Sequence, residues 1–141
     1  MNREWFCLDT GSWAMRIVLC ACLWGFGLLK LAAGPLHHTG TWAVLIWVAA
    51  IVEFLAGLLI VTPAWQTGAA LTIVLGFAGL VVVVVFKAMG LNVSRCGCFG
   101  RLMVSETLHI IICVALVATA ASLLSTAVTR KSGFPDIRVG A

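Results

Sequence analysis

Apolar residues fall along this chain in four long blocks, separated by short clusters rich in glycine, proline and polar side chains. The blocks run from about Trp13 to Ala33, Trp42 to Pro63, Thr67 to Phe86 and Thr107 to Thr129. Each is close to the ~20 residues that an α-helix needs to cross the hydrocarbon core of a bilayer. None shows the ten-residue alternation of a membrane β-barrel strand, and lipid offers no partner for unpaired backbone groups. The pattern therefore predicts an all-α membrane protein, an antiparallel bundle of four transmembrane helices. Residues 1–12 precede this 13–129 domain, and a tail of residues 130–141 follows it.

The links between the blocks differ in length. Residues 34–41 form one short turn and Pro63 to Gln66 a shorter one, so successive helices are expected to be antiparallel neighbours. Lys87 to Glu106 is the exception, a link of about twenty residues holding Gly90, Asn92, Gly97 and Gly100, and long links between packed helices often carry function.

Composition strengthens the membrane reading. Of the 141 residues 62% are hydrophobic and 10% charged, and the mean hydropathy is +1.14. A soluble domain averages about 45–50% apolar and about 25% charged residues, so a water-soluble fold is excluded. Nine Lys and Arg against five Asp and Glu give a net charge of +4. The basic residues stand at the ends of the apolar blocks instead of forming a stripe, which argues for membrane orientation signals and against nucleic acid. Arg3, Arg16, Arg130, Lys131 and Arg138 flank the termini, whereas Lys87, Arg95 and Arg101 flank the long link. That balance places both termini in the cytoplasm and the long link in the oxidising extracytoplasmic space. A cleaved signal peptide is the alternative for the first block, but Glu4 and Asp9 spoil a basic leader and Lys30 interrupts the region before any cleavage site.

The long link holds the most informative run, Arg95, Cys96, Gly97, Cys98, Phe99, Gly100 and Arg101. Two cysteines one residue apart close only a small, strained disulfide ring, and Gly97 best permits the torsions such a ring demands. Strain eases reduction, and Arg95 and Arg101 favour the thiolate that attacks or leaves in exchange. Cys96 and Cys98 are thus the candidate catalytic pair of a thiol–disulfide oxidoreductase. Two other readings stay open. The pair could be free thiols or part of a turn, or it could join His37 and His38, with His109 on the same side, in a zinc or copper site. Cys20 and Cys22 point about 200° apart on a helix and are expected to be buried free thiols. Cys113, about two turns into the fourth block, is a packing residue or a third thiol for the pair.

Lys30 and Glu53 are the ionisable residues well inside apolar blocks. Such a charge costs about 2.5–3.5 kcal/mol near a helix centre, so it usually faces the bundle and finds a partner. Ala49, Ala50, Ala56 and Gly57 share the Glu53 face, a small-residue surface suited to close helix approach. An ion pair between Lys30 and Glu53 is expected, with proton transfer or substrate contact near the thiols as the functional alternative. Trp13, Trp42 and Trp65 suit the headgroup region, while Trp24 and Trp47 are expected to pack. No phosphate-binding loop, serine nucleophile elbow or paired-carboxylate signature is present.

Three features in order resemble the MauE family of methylamine utilisation proteins, within the wider group of DoxX-like membrane proteins. They are Leu29-Lys30-Leu31 closing the first helix, Glu53-Phe54-Leu55-Ala56-Gly57-Leu58-Leu59 with Pro63 after it, and Cys96-Gly97-Cys98-Phe99-Gly100 after the third helix. The resemblance spans roughly residues 14–125. It implies a bacterial inner-membrane protein that supports maturation of methylamine dehydrogenase by aiding disulfide formation in an extracytoplasmic subunit. Cys96 and Cys98 would be its redox pair, and Lys30 and Glu53 its intramembrane polar positions. Some relatives carry a fused thioredoxin-like domain; residues 130–141 are too few for one, so such a partner is expected as a separate chain. Analogy with other four-helix thiol oxidoreductases suggests a quinone as electron acceptor, although no residue set identifies a quinone site. The alternative function is a membrane scaffold or chaperone whose link docks a partner without exchanging electrons.

Overall fold

The computed structural model describes residues 10–33, 41–91 and 105–132, and these form four α-helices with no strand among them. They are α1 (Thr10–Ala33), α2 (Thr41–Val61), α3 (Trp65–Ala88) and α4 (Glu106–Ser132). Each is long and apolar enough to cross a membrane, which marks the chain as a multi-pass membrane protein. The apolar blocks found all four, with ends displaced by a few residues.

Local chemistry explains where the helices stop. The residue before a proline is pushed out of the α region, so α2 ends ahead of Thr62 and Pro63. The Thr62 hydroxyl donates to the Leu59 carbonyl at 2.8 Å and satisfies one of the acceptors that a helix end leaves unpaired. Because Pro63 occupies this turn and not the next helix, α3 starts at Trp65, earlier than the block predicted. At its other end, Gly90 takes the left-handed conformation with φ of 67°, which glycine adopts without steric cost. The Leu91 N–H donates to the Phe86 carbonyl at 2.8 Å and the Gly90 N–H to the Lys87 carbonyl at 3.0 Å, closing a Schellman motif. The α4 helix begins behind Ser105, whose hydroxyl accepts from the Leu108 N–H at 3.3 Å. Glu106 in the first turn adds a negative charge where the helix dipole favours one.

Contacts between neighbours run in opposite directions along the chain. Gly57 lies against Trp24 and Gly27 against Phe54, so α1 and α2 are antiparallel; Gly76 lies against Val117 and Gly79 against Cys113, so α3 and α4 are too. The α2 and α3 helices also pack together, and α1 touches α4. Among the described glycines the approach of backbone to backbone is closest at Gly68: a Cβ there would stand 2.6 Å from the Ile60 nitrogen and 2.9 Å from the Ala56 carbonyl oxygen. Lipid is as apolar as leucine, so such backbone proximity and the packing it allows are what hold helices together in a membrane.

The buried positions of α1 are Arg16, Leu19, Leu23, Gly27 and Lys30, a single stripe at helical spacing. In α2 they are Ala50, Glu53, Ala56, Gly57 and Ile60, as the small-residue face of Glu53 predicts. In α4 His109, Cys113, Ala120 and Leu123 form the corresponding stripe. Leu19, Leu23, Ala56, Ile60, Ala69, Ala120 and Leu123 make one apolar cluster, which fills the half of the helices nearer the turn between α2 and α3. The opposite half holds the buried Lys30 and His109, with Glu53 between the two halves near the middle of α2.

Candidate functional site

Lys30 lies in the last turn of α1 and Glu53 near the middle of α2, and the lysine stem extends along the helix so that Nζ meets Glu53 Oε1. The pair is buried, with Lys30 8% and Glu53 7% exposed. Mutual charge compensation is what permits two ions at this depth, since each alone is costly in hydrocarbon. The second carboxylate oxygen, Glu53 Oε2, is also buried and has no hydrogen-bond partner among the described residues.

Beside the pair lies a cavity of about 160 Å³ to which all four helices contribute. Phe26 and Lys30 come from α1, Glu53 from α2, Gly79 from α3, and His109 and Cys113 from α4. Leu45, Ile46 and Ala49 of α2, and Leu75, Ala78 and Val82 of α3, complete the wall with apolar surface. Two of these, Leu45 and Ala78, are exposed, so the cavity is reached from the lipid side between α2 and α3.

His109 and Cys113 are one helical turn apart on the buried stripe of α4, which aligns them on one face. His109 is 2% exposed and Cys113 is buried. Glycine at position 79 is what lets this face approach α3: a Cβ there would stand 2.7 Å from Cys113 Sγ and 3.7 Å from His109 Nε2. An imidazole and a thiol thus line the same cavity as a carboxylate and an ammonium. These are groups that donate, accept and transfer protons.

Lys87 Nζ donates to Glu106 Oε1 at 2.7 Å, tying the end of α3 to the start of α4. The residues between those ends include the Cys96-Gly97-Cys98 run. Arg95, Cys96, Gly97, Cys98, Phe99 and Gly100 lie outside the described residues, as do His37 and His38. The expected ion pair of Lys30 with Glu53 is formed. Cys113 packs against Gly79 while also lining the cavity. Among the described residues no group of three or more His, Cys, Asp and Glu side chains is arranged to hold a metal ion.

Two expectations are corrected. Cys20 and Cys22 are free thiols, yet Cys22 is exposed and Cys20 half-buried, because only one of two residues so spaced can face the interior. Trp24 and Trp47 remain well exposed on the outer surface instead of packing inside. Trp24 nevertheless donates through Nε1 to the Phe54 carbonyl at 3.3 Å and rests against the Phe54 ring.

Arg16 is a buried ion that sequence reasoning missed. It reads as an orientation signal at the edge of its block, but α1 begins at Thr10 and carries Arg16 inward, 3% exposed. Its guanidinium lies 4.2 Å from the centroid of the Trp65 ring and 5.9 Å from that of Trp13. Aromatic faces attract such a cation. The available signal was its register, three and seven residues before Leu19 and Leu23 on the stripe that ends at Lys30. Comparison with models of known protein families, with curated proteins and with solved structures finds no match to this chain.

Proposed function

We propose that this protein is an integral membrane factor for thiol–disulfide exchange, with Cys96 and Cys98 as the redox pair and an extracytoplasmic protein as partner. The observation that carries this reading is where the polar chemistry gathers. Lys30, Glu53, His109 and Cys113 surround one cavity in the half of the helices from whose end the residues between α3 and α4 depart. The Cys96-Gly97-Cys98 run belongs to that stretch of sequence.

In the proposed cycle, a thiolate of the partner attacks one sulfur of a Cys96 to Cys98 disulfide. That S–S bond breaks, a mixed disulfide forms, and the other cysteine leaves as a thiolate. A second partner thiolate then attacks the mixed disulfide. The partner is left oxidised, Cys96 and Cys98 carry the electron pair as thiols, and the protons of the partner thiols pass to the reduced pair. Arg95 and Arg101 favour the thiolate forms, and Gly97 permits the tight ring. The same exchange run backwards reduces the partner.

Likeness to the MauE family supports a bacterial inner membrane as the site, with both termini cytoplasmic and the thiol pair outside. It also supports a partner such as a thioredoxin-like protein or a disulfide-rich dehydrogenase subunit of methylamine metabolism. The four helices then form an antiparallel bundle around the cavity.

The test is trapping. In a Cys96→Ser or Cys98→Ser single variant the remaining thiolate attacks a disulfide of the partner, one partner sulfur leaves as a thiolate, and the mixed disulfide that forms is visible on a non-reducing gel. Labelling of intact cells with a membrane-impermeant thiol reagent should modify Cys96 and Cys98 only after reduction. Normal partner maturation by the Cys96→Ser, Cys98→Ser double variant would refute exchange and favour a docking scaffold.

A further inference from the structure

We propose that the cavity between α2 and α3 is a binding site for a single-ring phenol, held by a hydrogen bond from its hydroxyl to Glu53. The inference stands on the cavity alone and does not require the redox reading of Cys96 and Cys98.

Size selects one ring. The cavity measures about 160 Å³, close to the ~150 Å³ apolar cavity that holds one benzene molecule. Its wall selects against water. About five waters would fill this volume, at ~30 Å³ each, and every one needs two to four polar partners. Among the described residues of the wall only the side chains of Lys30, Glu53, His109 and Cys113 offer polar groups, and Lys30 already pairs with Glu53. Leu45, Ile46, Leu75 and Val82 present carbon that a water cluster cannot satisfy.

The ion pair then selects a hydroxyl. Lys30 satisfies Oε1 of Glu53, while Oε2 is buried without a hydrogen-bond partner among the described residues. Leaving a buried charged acceptor unmade is costly, and a lipid tail filling the cavity would leave it so. A phenolic O–H donates to that carboxylate while its ring covers the apolar wall. Phe26 on α1 offers an aromatic neighbour for the ring. Entry from the bilayer, past Leu45 and Ala78, suits a molecule that partitions into lipid.

The probe is 4-fluorophenol, followed by fluorine NMR with the protein in lipid nanodiscs and with empty nanodiscs as the baseline. One saturable site per chain is expected, with affinity for 4-fluorotoluene weaker by about tenfold or more, since the methyl group cannot make a hydrogen bond to a charged acceptor. Ala78→Phe should abolish the site; Ala78 is exposed at the mouth, so a larger side chain enters the cavity without displacing packed neighbours. The Cys96→Ser, Cys98→Ser variant should bind as the wild type does, which separates this inference from the exchange reading. A signal no different from empty nanodiscs overturns the proposal. Equal affinity for 4-fluorotoluene overturns it too, in favour of a plain apolar pocket, and so does undiminished binding by Ala78→Phe.

Discussion

The two halves of the helical assembly are built on different principles. In the half nearer the turn between α2 and α3, Leu19, Leu23, Ile60, Ala69, Ala120 and Leu123 fill the space between helices, and Gly68 brings the α2 and α3 backbones together. The ion in that half, Arg16, is covered by indole rings. In the other half the helices enclose a cavity, and Lys30, Glu53, His109 and Cys113 stand around it. Packing holds the first half; paired charge and polar surface organise the second. Side chains that fill every gap leave no room for a ligand, so a membrane protein this small places adhesion and chemistry at different depths along the same helices.

The difference is sharpest at the ion pair. Glu53→Ala leaves Lys30 charged and uncompensated in a buried setting, and stability should fall by about 3–5 kcal/mol. The doubly apolar Lys30→Met, Glu53→Leu variant should recover most of that loss, because it removes both ions together. Reversible unfolding in mixed micelles measures both. If the double variant were as unstable as the single one, the pair would be more than mutual compensation.

Leu23→Ala probes the packed half, where it opens a void. In a soluble core such a change costs about 2–5 kcal/mol. Here the expectation is the lower end, about 2 kcal/mol, because lipid replaces part of the lost contact and no transfer from water is involved. Mixed-disulfide trapping at Cys96 or Cys98 should be unchanged in this variant, which distinguishes a structural half from a functional one.

Gly68→Ala should cost about 1–3 kcal/mol. Its Cβ would meet the Ile60 nitrogen and the Ala56 oxygen, and backbone cannot swing aside as a side-chain tip can. Crosslinking between cysteines placed on α2 and α3 reports the separation.

The smallest effect is expected at Lys87→Ala. That pair is largely exposed, at 72% and 39%, and exposed ion pairs are worth roughly 0–1 kcal/mol. Raised salt should erase the difference between variant and wild type.

Particular residues show how far a linear reading reaches. The four apolar blocks located the helices because the length of a spanning segment is set by the bilayer, and the sequence displays it directly. Ala49, Ala50, Ala56 and Gly57 betrayed the inward face of α2, and with it the orientation of Glu53. Arg16 escaped, because a cation near the edge of an apolar block looks the same whether it leaves the membrane or turns inward. Only the start of α1 at Thr10 and the position of Trp65 on another helix decide the matter. Cys22 was misjudged for a related reason: a small apolar-like side chain suits lipid as well as it suits the interior, so composition carries no information about its face. His109 was visible as a candidate ligand and its place one turn from Cys113 follows from helix spacing, but the close approach of that face to α3 depends on Gly79, thirty residues earlier in the chain.

By itself the sequence determined that this is a membrane protein of four helices, where those helices lie, and that Lys30, Glu53, Cys96 and Cys98 are its conspicuous polar positions. These follow from local quantities, namely hydropathy summed over about twenty residues and the cost of a charge in hydrocarbon. The tertiary structure decided that Lys30 reaches Glu53, that Arg16 turns inward, and that His109 and Cys113 share a cavity with the ion pair. Those depend on which stripe of each helix faces which neighbour. In lipid that choice is made by shape and polar pairing between distant segments, because hydrophobicity no longer separates inside from outside.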